Sequence, residues 1–201
     1  MNPTLVYLHG FRSSPQSVKA RLFVEKVAAL PATARPVLLV PELSVEPEAA
    51  IERVAAWIAQ NVPSPATQLT LVGSSLGGYY ATHLAERFGA RAVMINPAIR
   101  PYDDLAQYVG TQTNLYTGEA FEVVEAHFAQ LRALKVPRIT RPERYLLLVR
   151  TGDEVLDWRE ASAFYAGANQ YVLGGGDHGW ADFGPEIPAV LRFAGIPTND
   201  S

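Results

Sequence analysis

Ser75 stands at the centre of Gly73-Ser74-Ser75-Leu76-Gly77, a G-x-S-x-G pentapeptide between an apolar run and a segment with helical spacing. On a strand-to-helix turn that pattern has a defined chemical use. The turn strains the serine backbone, lifts the hydroxyl clear of the sheet and aims the next N–H at the same point. Glycine flanks it because a Cβ would collide with the neighbouring strand and helix. Nucleophilic attack on a carbonyl is the chemistry this permits. The plainer alternative is a Gly-rich turn that packs tightly or cradles a phosphate.

A serine hydroxyl is a weak nucleophile at neutral pH and needs a base within hydrogen-bond reach, itself oriented by a third group. Four histidines are available. His178 follows Gly174-Gly175-Gly176-Asp177, whose glycines let the backbone bend back across a sheet edge, and it is the expected base. His83 lies about 12 Å along the helix that Ser75 opens, too far to serve, and reads as a helix-surface residue. His127 reads as an ordinary solvated histidine, and His9, before Gly10, as a brace for its loop. For the acid, Asp153 in Thr151-Gly152-Asp153-Glu154 gives the chain order Ser, Asp, His. Asp157 opens a helix capping pattern, Asp103 and Asp104 begin a polar loop, and Asp177 reads as a turn residue.

Acyl transfer also needs donors aimed at the oxyanion. The Leu76 N–H is one; the Phe11 N–H, in His9-Gly10-Phe11, is the expected second, with Gly10 permitting the close approach. Gly10, Tyr79 and Trp180 are expected against substrate, and Tyr102 is a further aromatic candidate for a pocket.

These residues must be held by a sheet. Short apolar runs at 5–8, 37–40, 69–72, 92–95, 145–149 and 170–173 read as buried parallel strands, being nearly continuous rather than alternating. Helical spacing occupies 18–30, 49–62, 76–88, 161–168 and 187–193. This alternation predicts a doubly wound α/β fold, mostly parallel and six-stranded. Residues 97–144 break the rhythm with a long excursion from the carboxyl edge, where ligands of such sheets bind. It reads as a small helical cap, with one helix over 119–134, inside a single domain spanning 1–201.

Composition narrows the class. With 48% hydrophobic and 18% charged residues the chain reads as globular, and a net charge of −3 without a basic cluster argues against a nucleic-acid partner. Cysteine is absent, which excludes disulfides, a thiol nucleophile and thiolate metal sites. The apolar runs are too short for a membrane span, and the first strand leaves no room for a signal peptide, so a cytoplasmic protein is expected.

Several blocks resemble the YqiA-like esterases, small bacterial α/β-hydrolases. They are His9-Gly10-Phe11-Arg12-Ser13-Ser14-Pro15, Gly73 through Thr82, Asn96-Pro97-Ala98, Tyr116-Thr117-Gly118, and Thr151-Gly152-Asp153-Glu154-Val155-Leu156-Asp157. The resemblance runs nearly end to end. It implies a serine esterase or thioesterase with Ser75 as nucleophile, Asp153 as acid and His178 as base. It also implies that the cap region belongs to the common fold. Asp177 departs from the pattern, where Asn is expected. Its carboxylate either raises the basicity of His178 or faces water.

The expected function is hydrolysis of short- to medium-chain acyl esters through an acyl-enzyme, requiring no metal or cofactor. Two alternatives stand beside it. An acyl-CoA thioesterase would use the same triad, with Arg100, Arg138, Arg141 and Arg144 as a basic rim. A catalytically inactive binding protein of the same fold would retain only the architecture.

Overall fold

The computed structural model describes residues 3–198. Its first half alternates strand and helix but for one added turn: β1 (Thr4–Leu8), α1 (Val18–Ala28), β2 (Val37–Leu39), α2 (Pro47–Asn61), the single turn α3 (Pro65–Gln68), β3 (Leu69–Ser74), α4 (Leu76–Phe88) and β4 (Arg91–Ile95). The excursion then contributes α5 (Pro101–Asp104), β5 (Gly110–Thr113), β6 (Ala120–Val123) and α6 (Glu125–Ala133). β7 (Tyr145–Arg150), α7 (Trp158–Phe164), β8 (Asn169–Leu173) and α8 (Ile187–Phe193) complete the order.

The large sheet has six strands in the order β2-β1-β3-β4-β7-β8, and every pairing within it is parallel. All six expected strands are present, because runs such as Leu5-Val6-Tyr7-Leu8 are buried on both faces. Alternate residues divide between two cores. Val6 and Leu8 pack with Ile51 and Val54 of α2 and with the α4 side chains. Leu5 and Tyr7 face Phe23 and Val27 of α1 and Val190 and Leu191 of α8. Both edge strands are more exposed, β8 showing Tyr171 and Val172 to solvent. Among the described residues no helix is long and apolar enough to cross a membrane.

The excursion differs from expectation. Residues 119–134 do not form one helix: β6 pairs antiparallel with β5, from Gly110↔Val123 to Thr113↔Ala120, and α6 starts only at Glu125. Phe121 and Val123 satisfy a period of two as readily as a helical one, and a run this short does not discriminate. The turn between the strands decides it. Asn114 Oδ1 accepts from Tyr116 N and Thr117 N, Asn114 N donates to Glu119 O, and Gly118 takes φ +75°. The excursion is therefore part hairpin, part helix.

Candidate active site

Ser75 adopts φ 55°, ψ −122°, outside the regions open to most L-residues. Such strain persists only where the surroundings over-determine it. Ser75 N donates to Ile95 O at 3.1 Å, and the Ser75 carbonyl accepts from Gly78 N at 2.9 Å and Ala98 N at 3.1 Å. A Cβ on Gly73 would overlap the Gly77 carbonyl, and one on Gly77 would overlap the Leu8 carbonyl. Glycine is required there by contact with backbone.

Ser75 directly follows β3, Asp153 follows β7 and His178 follows β8, so parallel strands deliver all three to one edge. His178 Nε2 lies 3.0 Å from Ser75 Oγ, and Nδ1 lies 2.8 Å from Asp153 Oδ2. Asp153 Oδ1 accepts the N–H groups of Val155 and Leu156 at 2.9 and 2.8 Å. Burial works to raise the Asp153 pKa, but the imidazole and these two donors outweigh it and hold the carboxyl below the ordinary range. A charged Asp153 at Nδ1 fixes the Nδ1–H tautomer and leaves Nε2 free to accept from the serine hydroxyl.

The His178 loop is held from several directions by residues the sequence reading did not assign. Asn96, buried and at φ 42°, donates from Nδ2 to the carbonyls of Asp177 and His178, both at 3.3 Å, while its Oδ1 accepts from Arg150 N at 2.9 Å. Asn is among the few non-glycine residues that adopt that left-handed backbone readily. Lys19 Nζ donates to the carbonyls of His178, at 3.3 Å, and Gly179. Burial pushes Lys19 down to about 8, against Asp153 and Asp177, which pull it up. Glu154 Oε2 accepts from His178 N at 3.0 Å. Asn96-Pro97 directly after a strand was a usable signal; nothing in the sequence marked Lys19. Asp177 is a turn residue, its Oδ1 accepting from Trp180 N at 2.7 Å.

The loop after β1 runs against Ser75. A Cβ on Gly10 would sit 3.1 Å from Ser75 Cβ and 3.6 Å from Oγ. Leu76 opens α4, where the N–H has no partner inside the helix. The tip of the β5–β6 hairpin clamps this loop. Leu115 N donates to Arg12 O at 2.9 Å, Arg12 Nε to Thr113 O at 3.0 Å, and Asn114 Nδ2 to Ser13 O at 2.9 Å. His9 is buried, with Nδ1 donating to Gly10 O at 3.0 Å and Nε2 accepting from Leu43 N at 3.3 Å. Burial lowers its pKa although the Gly10 carbonyl opposes this, so His9 remains a neutral brace.

Ser75 and His178 stand between two cavities. One, of about 450 Å³, opens on the α1 side beside Tyr7, Ser13, Ser17 and Lys19. The other, of about 290 Å³, is walled by Leu76, Leu105, Tyr108, Val155 and Leu156. A third, also of about 290 Å³, lies across Phe11 under the hairpin and is lined by Tyr80, Phe121, Phe128 and His127.

With this geometry in hand, a model described as "Uncharacterised protein family (UPF0227)" matches residues 4–195. The chain belongs to UPF0227. This is the YqiA-like family. Solved structures extend the likeness to fold. A protein from Agrobacterium vitis S4 gives a TM-score of 0.75 at 19% identity, over 98% of this chain and 88% of that one. Mouse alpha/beta hydrolase domain-containing protein 10 gives 0.69 at 18% identity, over 96% and 89%. Paleococcus ferrophilus monoacylglycerol lipase gives 0.67 at 15% identity, over 98% and 96%. The UPF0227 chain has the α/β-hydrolase fold.

Some expected site residues of this UPF0227 protein stand elsewhere. Trp180 is 1% exposed and packs edge-on against Phe183 with the Arg150 guanidinium over its ring, so it cannot meet substrate. Tyr79 is also buried, its hydroxyl donating to Leu131 O at 2.6 Å, and it ties α4 to α6. Tyr102 packs against Tyr79. His83 is part-buried, bonded at Nδ1 to Leu134 O at 3.0 Å, and His127 lines the third cavity instead of standing in solvent. Asp157 caps α7 as expected, accepting from Arg159 N at 3.0 Å. Asp103 and Asp104 fall within α5. The four arginines make no basic rim: Arg100 pairs with Glu160, Arg141 with Glu143 and Arg144 with Glu86, while Arg138 is exposed outside the three cavities.

Proposed function

We propose that this chain is a serine esterase that hydrolyses carboxylic esters through an acyl-enzyme on Ser75. One observation carries the reading: the continuous hydrogen-bond chain from Ser75 Oγ through His178 to a buried, doubly braced Asp153. His178 Nε2 takes the hydroxyl proton as Oγ attacks the ester carbonyl. Asp153 stabilises the imidazolium, and the N–H groups of Leu76 and Phe11 receive the oxyanion. The imidazolium then protonates the departing alcohol, and a water activated by the same imidazole releases the carboxylic acid.

The cavity that Leu76, Leu105 and Leu156 help to wall, of about 290 Å³, has room for a short- to medium-chain acyl group, and residues 97–144 cap that side of the site. The esterase domain from Rhodothermus marinus, which shares the fold at a TM-score of 0.66 and 17% identity, is compatible with this chemistry. The motive for a thioester leaving group weakens, because three of the arginines expected to hold its phosphates are engaged with glutamates.

Ser75→Ala tests the reading. Hydrolysis of p-nitrophenyl acetate should fall by about 10⁴-fold or more, with circular dichroism unchanged. A fluorophosphonate should label the native chain at Ser75 and not the variant. Undiminished turnover, or a native protein inert to the probe, rejects the esterase.

A further inference from the structure

Within the esterase reading, one cation beside Ser75 has a placement that acyl transfer itself does not call on. Lys19, in the first turn of α1, is half-buried and lines the cavity that Ser75 and His178 share on that side. Its ammonium reaches across to the loop after β8, donating to the carbonyls of His178, at 3.3 Å, and Gly179. The carboxylates around it are engaged elsewhere. Asp153 meets the imidazole, Glu154 accepts from His178 N and Asp177 from Trp180 N. Tyr7 and Tyr116 complete the surroundings, Asp182 further along the loop pairs with Arg150, and Arg21 on α1 is exposed.

The segment it grips has few other anchors. Gly175 and Gly176, at φ +67° and +74°, precede Asp177 and bring no side chain to pack. Besides Lys19, the His178 carbonyl is held by Asn96 Nδ2 at 3.3 Å. A hydrogen bond from a charged donor is roughly twice as strong as a neutral one, so this grip depends on the proton of Lys19. Burial pushes that proton's pKa down to about 8, although Asp153 and Asp177 oppose the shift. The N-terminal end of a helix is also an unfavourable place for a cation.

We infer that Lys19 is a positioning residue for His178: its ammonium fixes the loop that carries the imidazole, and turnover falls at alkaline pH as the ammonium loses its proton. Stability runs the other way. The unfolded lysine holds its proton up to about 10.4, so between the two values the unfolded chain binds more protons and the contribution of Lys19 to stability rises with pH. Lost turnover in that window is therefore not lost fold. The inference rests on the esterase reading and fails separately from it.

The test is kcat for p-nitrophenyl acetate, corrected for spontaneous hydrolysis, from about pH 6 to pH 10. The native chain should lose about tenfold across an alkaline limb with KM little changed, the scale of a small misplacement of a reacting group. Lys19→Met should be about tenfold slower than the native chain at neutral pH and show no alkaline limb. Lys19→Arg, charged throughout, should restore most of the neutral rate and also lack the limb. Asp177→Asn keeps an oxygen for Trp180 N but removes a carboxylate that favours the ammonium, so its limb should move to lower pH. A limb that survives in either Lys19 variant, a Lys19→Met chain as fast as the native one, or an unmoved limb in Asp177→Asn overturns the positioning role while leaving an esterase. No turnover by the native chain, together with no fluorophosphonate labelling, overturns the esterase and this role with it.

Discussion

The carboxyl edge of the sheet and the excursion at 97–144 solve the same problem, placing polar atoms around a carbonyl, in opposite ways. At the edge, position is enforced by backbone contact. Ser75 is held by Ile95, Gly78 and Ala98, and neither Gly73 nor Gly77 has room for a methyl group. In the excursion, position is enforced by a few hydrogen bonds at a solvent-exposed tip, and a Cβ on Gly110 or Gly118 would meet nothing within 4 Å. The edge therefore tolerates no change in composition. The hairpin has open space at both of its glycines, while the helical part of the excursion is tied down separately by Tyr79 on Leu131 O and His83 on Leu134 O.

The largest expected effect lies at the edge. Asp153→Asn keeps the packing but favours the wrong imidazole tautomer, and kcat for p-nitrophenyl acetate should drop by about 10⁴-fold. The pH dependence sharpens this. The folded pKa of Asp153 is depressed, so its contribution to stability is complete above the unfolded value of about 3.9 and is lost as pH falls through the lower folded value. Acid unfolding followed by ellipticity should therefore show the native chain losing more stability than Asp153→Asn, which has no carboxyl to protonate; equal losses would contradict a depressed Asp153.

Next come the glycines. Gly77→Ala should cost about 3 kcal/mol or more in denaturant unfolding, because the new methyl meets the Leu8 and His9 carbonyls. Gly118→Ala should cost only about 1 kcal/mol, the strain of a non-glycine residue at φ +75° in open space. Equal costs would abolish the contrast between the regions. A further effect is expected at the clamp. Asn114→Ala loses the bond to Ser13 O and the turn contacts to Tyr116 and Thr117. It should lower kcat by about tenfold with KM little changed if the Phe11 N–H acts on the transition state as proposed. A KM effect alone would make the hairpin a substrate wall and not a positioning element.

The same contrast decides what could be read from the chain. The edge was legible because its constraints fall on residue type: glycine at 73 and 77, a histidine after a glycine run, an aspartate directly after an apolar strand. The two-sided burial of β1, β3, β4 and β7 likewise leaves continuous apolar runs. Residues 120–123 were misread as the start of the helix because they pair with Gly-Thr-Gln-Thr at 110–113 through backbone, which leaves little mark on composition. Tyr79 and Trp180 were misplaced because nothing in an aromatic residue's type separates a pocket wall from a core. The supports of His178 were invisible for a further reason. Lys19 reaches the carbonyl of a residue 159 positions away, and that contact exists only once β1 and β8 share a sheet.

The bond from Ala98 N to the Ser75 carbonyl and the bonds from Asn96 to the histidine loop fix the three residues after β4 at both ends. An insertion at 96–98 would drag the elbow and the imidazole in the same motion. Lengthening is therefore confined to the stretch beyond Ala98, where this scaffold can acquire a larger roof, and new selectivity, while the reacting atoms stay where they are.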